Sequence, residues 1–251
     1  RYSAAGDCAA AGDAADLNPA SAFTVEAWIR PEVANFGPTF AFILSKNLGY
    51  SGWALLEVNS AGFHPGFQVF NDDLDVTQEV YGTTSPATGV WSHVAGVYGS
   101  GEVKIYVDGA LQGTAVAAGP ATANAVDLFI GCSLFGSATY WKGDIDRVRI
   151  WNRALTAAEI DAGRFHDPSL PDPDLVAKWD FDEGTGSTSA DASGHGPPTK
   201  APRFPGSPKP RSGCGSTTNR RSSSSLQARP RRRVRVSRLV RRTPEGGAWP
   251  Q

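Results

Sequence analysis

The sequence predicts an all-β fold, an antiparallel sandwich or barrel followed by a disordered basic tail. Three observations predict it. Segments that alternate apolar and polar residues recur through the first three quarters of the chain, clusters of Gly, Pro, Asn and Asp separate them, and only one stretch carries helix signals. Charge then divides the chain: residues 1–196 hold 10 Lys and Arg against 24 Asp and Glu, whereas residues 197–251 hold 14 against Glu245 alone. The formal net charge of -1 is a cancellation between two unlike segments.

Residues 23–30 show the pattern. Phe23, Val25, Ala27 and Ile29 share one face, and Thr24, Glu26, Trp28 and Arg30 share the other. Residues 53–59, 67–70, 91–98, 103–107, 127–130 and 146–152 read as further strands. Asp108-Gly109 is a hairpin turn, because a two-residue primed turn needs positive φ at positions Asp and Gly tolerate. The one helix starts at Thr156, which caps it, with Glu159 three residues on to close a capping box; residues 157–164 propagate it, and Gly163 and Pro168 limit it.

A chain of 251 residues with 40% hydrophobic content can bury one large β-domain core, with an appendage. No run of 18 apolar residues is present, so no helical membrane span is expected. The chain begins at Arg1 and contains no Met, which reads as a fragment of a longer protein. Cys8, Cys132 and Cys214 fit neither zinc nor Cys-x-x-Cys spacing. They read as two buried thiols and one exposed, or as a disulfide joining Cys8 to Cys132 in a chain with extracellular character.

Four stretches carry a resemblance: "FTVEAWIRP" at 23–31, "ILSKNLGYSGWALLEV" at 43–58, "WSHVAGVYGSGEVKIYVDGALQG" at 91–113 and "YWKGDIDRVRIWNRALTAAEI" at 140–160. Together they resemble the laminin G-like, concanavalin A-like lectin and glucanase superfamily, in its bacterial single-domain version and its pentraxin relatives. The resemblance implies a two-sheet antiparallel jelly roll with a concave face. It divides the chain into a domain at 1–165 that lacks its opening strand, a Pro- and Asp-rich linker at 166–174, the start of a second repeat at 175–196 ("WDFDEGTG" at 179–186), and the tail at 197–251. The strand near 175–183 is expected to dock on the vacant sheet edge of the first repeat. The tail reads as disordered, or as an out-of-frame remnant, since codons for residues 213–219 allow a shifted reading "LRFDDE". Nucleic-acid binding is the weaker reading and rests on its arginines alone.

Glucanases of this fold use a Glu-x-Asp-x-x-Glu strand, which is absent; Glu26 with Glu32 and Asp144 with Asp146 lack the third carboxylate. The expectation is a binding module without enzymatic activity. The pentraxin calcium site is mostly missing, since Asn47-Leu48 and Cys132-Ser133-Leu134 stand where its ligands would lie. No cofactor is required, and calcium is the one ion admitted, at Asn71, Asp73 and Asp75 or near Asp13 and Asp16. His64, His93, His166 and His195 lack ligand spacing. Sugar rings stack on aromatic planes while polar neighbours bond their hydroxyls. Trp28 with Glu26 and Arg30 is therefore the first ligand candidate, followed by Trp53 and Tyr98, then Tyr50, Phe70 and Trp141. The expected partner is a glycan or an extracellular protein, at a secreted or cell-surface location; a structural spacer is the alternative.

Overall fold

The computed structural model describes residues 8–19, 21–32, 40–48, 51–58, 64–74, 76–133, 140–183 and 188–194. In order, the described chain forms β1 (Ala9–Ala10), β2 (Phe23–Pro31), β3 (Ala41–Leu48), β4 (Ser51–Val58), β5 (His64–Asn71), β6 (Val76–Tyr81), β7 (Ser92–Gly99), β8 (Glu102–Val107), β9 (Ala110–Val116), β10 (Phe129–Ile130), β11 (Gly143–Trp151), α1 (Ala157–Gly163) and β12 (Leu175–Trp179). The first sheet runs β1-β10-β3-β4-β5-β6 and the second β12-β11-β2-β7-β8-β9, with neighbouring strands antiparallel. This is the two-sheet sandwich expected of the sequence.

Alternation decides what each sheet buries. Phe23, Val25, Ala27 and Ile29 enter the space between the sheets, together with Trp53, Leu55, Phe67, Val69, Ile105 and Trp179. Phe23 is the hub: its ring lies 6.0 Å from Trp53, 5.8 Å from Phe67 and 5.4 Å from Tyr98, offset or edge-on as aromatic quadrupoles prefer. Gly96 of β7 faces Phe67 across the gap, and any side chain there would collide with that ring. Two of the core aromatics have their polar tips met by backbone, Trp53 Nε1 donating to Leu17 O at 3.3 Å and Tyr98 Oη to Gly119 O at 2.5 Å.

Local signals are realised where the reading put them. Asp108 and Gly109 take φ of 50° and 82° between β8 and β9, and the Asp108 carboxylate accepts from His93 N at 2.8 Å. Thr156 Oγ1 accepts from Glu159 N while Glu159 Oε2 accepts from Thr156 N at 2.8 Å, so the capping box is complete, and Ile160 is the buried residue of this short helix.

The strand expected over 127–130 shortens to β10. The residues before it bond irregularly instead, Asn124 Nδ2 donating to Lys46 O at 3.0 Å. β6 is a strand that alternation did not reveal. Its inward Gln78 is polar and is accommodated by donating to Gly119 O at 3.1 Å.

Two connections close the sandwich over long sequence distances. A disulfide joins Cys8 to Cys132, 124 positions apart in sequence, with Cα atoms 5.4 Å apart. β12 pairs with β11 at the edge of the second sheet, Val148 opposite Trp179 and Ile150 opposite Ala177, and its Trp179 is completely buried. Residues 189–193 return along it: Asp191 Oδ1 accepts from Lys178 N and Ser193 N, and Ala192 N donates to Lys178 O at 2.8 Å. The tail at 197–251, with Cys214, lies outside the described residues.

Thiol labelling of the unfolded, unreduced chain is expected to count one thiol, that of Cys214, and reduction to cost about 2–5 kcal/mol in urea titrations. Trp179→Ala is expected to cost about 3–5 kcal/mol, through the cavity it leaves in the core.

Candidate functional site

The outer face of the second sheet carries an ionic cluster under a roof. From β2 come Glu26 and Trp28, from β7 His93, and from β11 Arg149 and Trp151. Residues 152–174, which include α1, form a strap across them, pressing Leu155 and Ile160 onto Ala95, Val97, Tyr106 and Trp151. Glu26 Oε1 accepts from Trp151 Nε1 at 3.1 Å and Arg149 Nη1 at 3.4 Å, and Oε2 lies 3.1 Å from His93 Nε2. The Nη groups of Arg149 also donate to the strap: Gly163 O at 2.9 Å, His166 O at 3.0 Å and Asp167 Oδ1 at 3.0 Å.

Burial pushes the Glu26 carboxyl pKa up, but the hydrogen bond and charge of His93, the Arg149 charge and the Trp151 hydrogen bond outweigh it and hold the group below its ordinary range. Asp167 is likewise lowered: burial raises it, and the charges of Lys178, Arg149 and Arg147 more than offset that.

This geometry reassigns the ligand candidates read from the sequence. Trp28 donates Nε1 to Arg164 O at 2.9 Å and its ring packs on His93 and Phe165, so the strap covers the plane a sugar would use. Alternation identified the face, and burial of Glu26 to 2% exposure shows that the strap occupies it. Arg30 stays partly exposed; it donates Nε to Asp144 Oδ2 at 2.8 Å and stacks its guanidinium 5.3 Å from the Trp91 ring. Trp53 and Tyr98 are core residues, as is Trp141.

Of the proposed calcium set, Asn71 bonds Pro120 O at 2.7 Å and Leu74 N at 2.9 Å, while Asp75 and the Asp73 side chain lie outside what is described, as does Tyr50. Asp13 pairs with the buried Lys46 at 2.7 Å. No group of three or more His, Cys, Asp or Glu side chains disposed to hold a metal occurs among the described residues. Asp144 and Asp146 take structural partners, Arg30 and the Arg147 N–H.

The outer face of the first sheet holds a cluster that sequence reading missed. Glu79 and Tyr81 are two apart on β6, opposite Gln68 and Gly66 of β5. Gln68 Nε2 donates to Glu79 Oε2 at 2.9 Å and to Tyr81 Oη at 3.3 Å, and Tyr81 Oη donates to the same carboxylate oxygen at 2.7 Å. Phe42, Ala54 and Phe70 pack beside Tyr81 as a buried apolar cluster, the two phenylalanine rings 3% and 5% exposed. Burial and the neighbouring Glu79 raise the Tyr81 pKa, which keeps the phenol protonated. A carboxylate, an amide and a phenol in one network offer the donors and acceptors that hydroxyl groups need. The signal was available in "QEVY", whose Glu and Tyr share a strand face, but the inward Gln78 hid the strand.

The family of the chain is decided by residues 3–161, which match the family model described as Concanavalin A-like lectin/glucanases superfamily. The chain belongs to this superfamily. Among solved structures, this lectin/glucanase relative is similar in fold to a candidate carbohydrate-binding protein from Bacteroides ovatus, at 17% identity and a TM-score of 0.59, over 79% of this chain and 58% of that one. It is also similar to the CBM40 of the Ruminococcus gnavus IT-sialidase, bound there to α2,3-sialyllactose, at 17% identity and a TM-score of 0.53, over 64% of this chain and 94% of that one. The chain thus spans less than two thirds of the Bacteroides protein. No curated protein matches it.

A depressed carboxyl pKa contributes stability above the unfolded value, 4.5 for Glu26, and loses it as pH falls through the lower folded value. The urea midpoint is therefore expected to fall below pH 4.5, with Asp167 adding to the loss. Glu26→Gln is expected to cost about 3–5 kcal/mol at neutral pH, because it strands a buried Arg149, and to flatten part of that acid dependence.

Proposed function

We propose that this chain is a non-catalytic carbohydrate-binding module from an extracellular, multidomain protein, and that the outer face of its first sheet is the sugar-binding surface. The observation that carries this reading is the Gln68–Glu79–Tyr81 network, whose Glu79 carboxylate is exposed. Glu79 Oε2 is taken by two donors, so the carboxylate is oriented before any ligand arrives, and its Oε1 and the Gln68 carbonyl are left to meet sugar hydroxyls. The outer face of the second sheet is a weaker candidate, since the strap lies on Trp28 and Glu26.

Glycoside hydrolysis needs two carboxyl groups across the scissile bond. Among the described side chains of the first sheet's outer face, Glu79 is the one carboxylate, which supports binding over cleavage. The disulfide supports an oxidising, extracellular setting. Residues 175–196 are read as the opening of a second repeat whose strand completes the second sheet, which supports a multidomain parent. Calcium enters this reading only through the loop at 71–75.

The test is a glycan array probed in calcium and in chelator, followed by Kd measurements on the strongest hit. Tyr81→Phe is expected to weaken binding about 5- to 10-fold, the equivalent of one hydrogen bond, and Glu79→Gln roughly 10- to 100-fold. Trp28→Ala should lower the melting temperature and leave the array pattern unchanged. A blank array from folded protein, or hits indifferent to both first-sheet variants, sinks the assignment.

A further inference from the structure

Beneath the strap, between α1 and the second sheet, lies a cavity of about 240 Å³. Trp151, Leu155, Ala162 and Pro168 form its apolar walls, and Glu26 and Arg149 also line it. Both of these side chains are nearly fully buried; Glu26 Oε2 faces His93 Nε2 at 3.1 Å, whereas Arg149 Nε makes no hydrogen bond. At the rim stand Arg153, Glu159 and Asp167.

The chemistry of the lining narrows the ligand. A purely apolar occupant would leave the buried Arg149 Nε desolvated and unpaired. A charged occupant would find no spare counter-charge, because the ionic side chains are already committed to one another: Arg149 to Glu26 and Asp167, and Arg153 to Glu159 at 2.8 Å. What remains is a neutral ligand with C–H faces for the indole and aliphatic walls and hydroxyl groups that both donate and accept. A volume of about 240 Å³ suits a single pyranose or furanose ring.

We infer that this cavity is a second, monosaccharide-sized site on the opposite face of the sandwich from the Gln68–Glu79–Tyr81 surface. It takes its ligand class from the sugar-binding reading but shares no residue with that surface. One hydroxyl of the ring accepts from Arg149 Nε, while Trp151 and Leu155 cover the ring's carbon face.

The test uses the full chain with ¹⁵N-labelled indoles. The Trp151 Nε1–H signal is identified as the one lost in Trp151→Phe, and glucose, galactose, arabinose and N-acetylglucosamine are titrated separately. The expected result is a saturable shift of that signal with at least one sugar, at a Kd on the order of 1 mM. Ala162→Phe, an exposed helix position whose side chain would fill the cavity, should abolish the shift while the melting temperature is retained. No saturable shift with any of the four sugars, or a shift that survives Ala162→Phe, overturns the proposal. Glu79→Gln separates the two sites: it should leave the Trp151 shift intact, so a blank array with a Trp151 shift defeats only the first-sheet reading, and array hits without one defeat only this cavity.

Discussion

The Arg149 guanidinium is the interaction on which the second half of the structure depends. It sits on β11, reaches across to Glu26 on β2, and fixes the strap through Gly163 O, His166 O and Asp167. Position of α1, the path of the linker into β12 and the walls of the cavity all follow from where those acceptors are held. A planar, five-donor fork suits this task, since it can bond a carboxylate and several carbonyls at once; a lysine ammonium at the same position could not span them.

Burying that charge is costly, and the surroundings show how the cost is offset. Glu26 supplies the counter-charge, Trp151 and His93 bring further polar atoms to its carboxylate, and Asp167 adds a second anion at the strap side. The first sheet works differently. Its ordered carboxylate, Glu79, is solvent-exposed and held by neutral partners, Gln68 and Tyr81, so approach of a ligand does not require an ion pair to break. The same residue types thus form a buried ion pair on one face and an exposed carboxylate with neutral partners on the other.

Much of the fold was legible because its signals are local. The Asp108-Gly109 turn, the Thr156–Glu159 cap and the two-faced alternation of β2 each depend on residues a few positions apart. The identity of a buried face is local too, but what lies over it is set by residues far along the chain. Glu26 and Trp28 were correctly placed on the outward face of β2, yet the strap that covers them arrives more than 120 residues later. Trp53 and Tyr98 read as aromatic ligand candidates because an aromatic ring in a strand looks the same from sequence whether it faces solvent or, as here, Phe23. β6 escaped notice for a related reason, since the Gly119 carbonyl that satisfies its inward Gln78 is 41 residues away.

The pairing of β2 with β11 and of β11 with β12 has a consequence for synthesis. When β2 leaves the ribosome, its neighbour β7 is some 70 residues behind and β11 about 120. The second sheet can therefore begin as the β7-β8-β9 meander, but it stays open at β11 until residues through Trp179 have been made. During that interval β11 presents an unpaired edge, whose free backbone groups invite pairing with a neighbouring nascent chain. Loop closures of this length slow folding, so the molecule is most exposed to misassembly just before its last strand emerges.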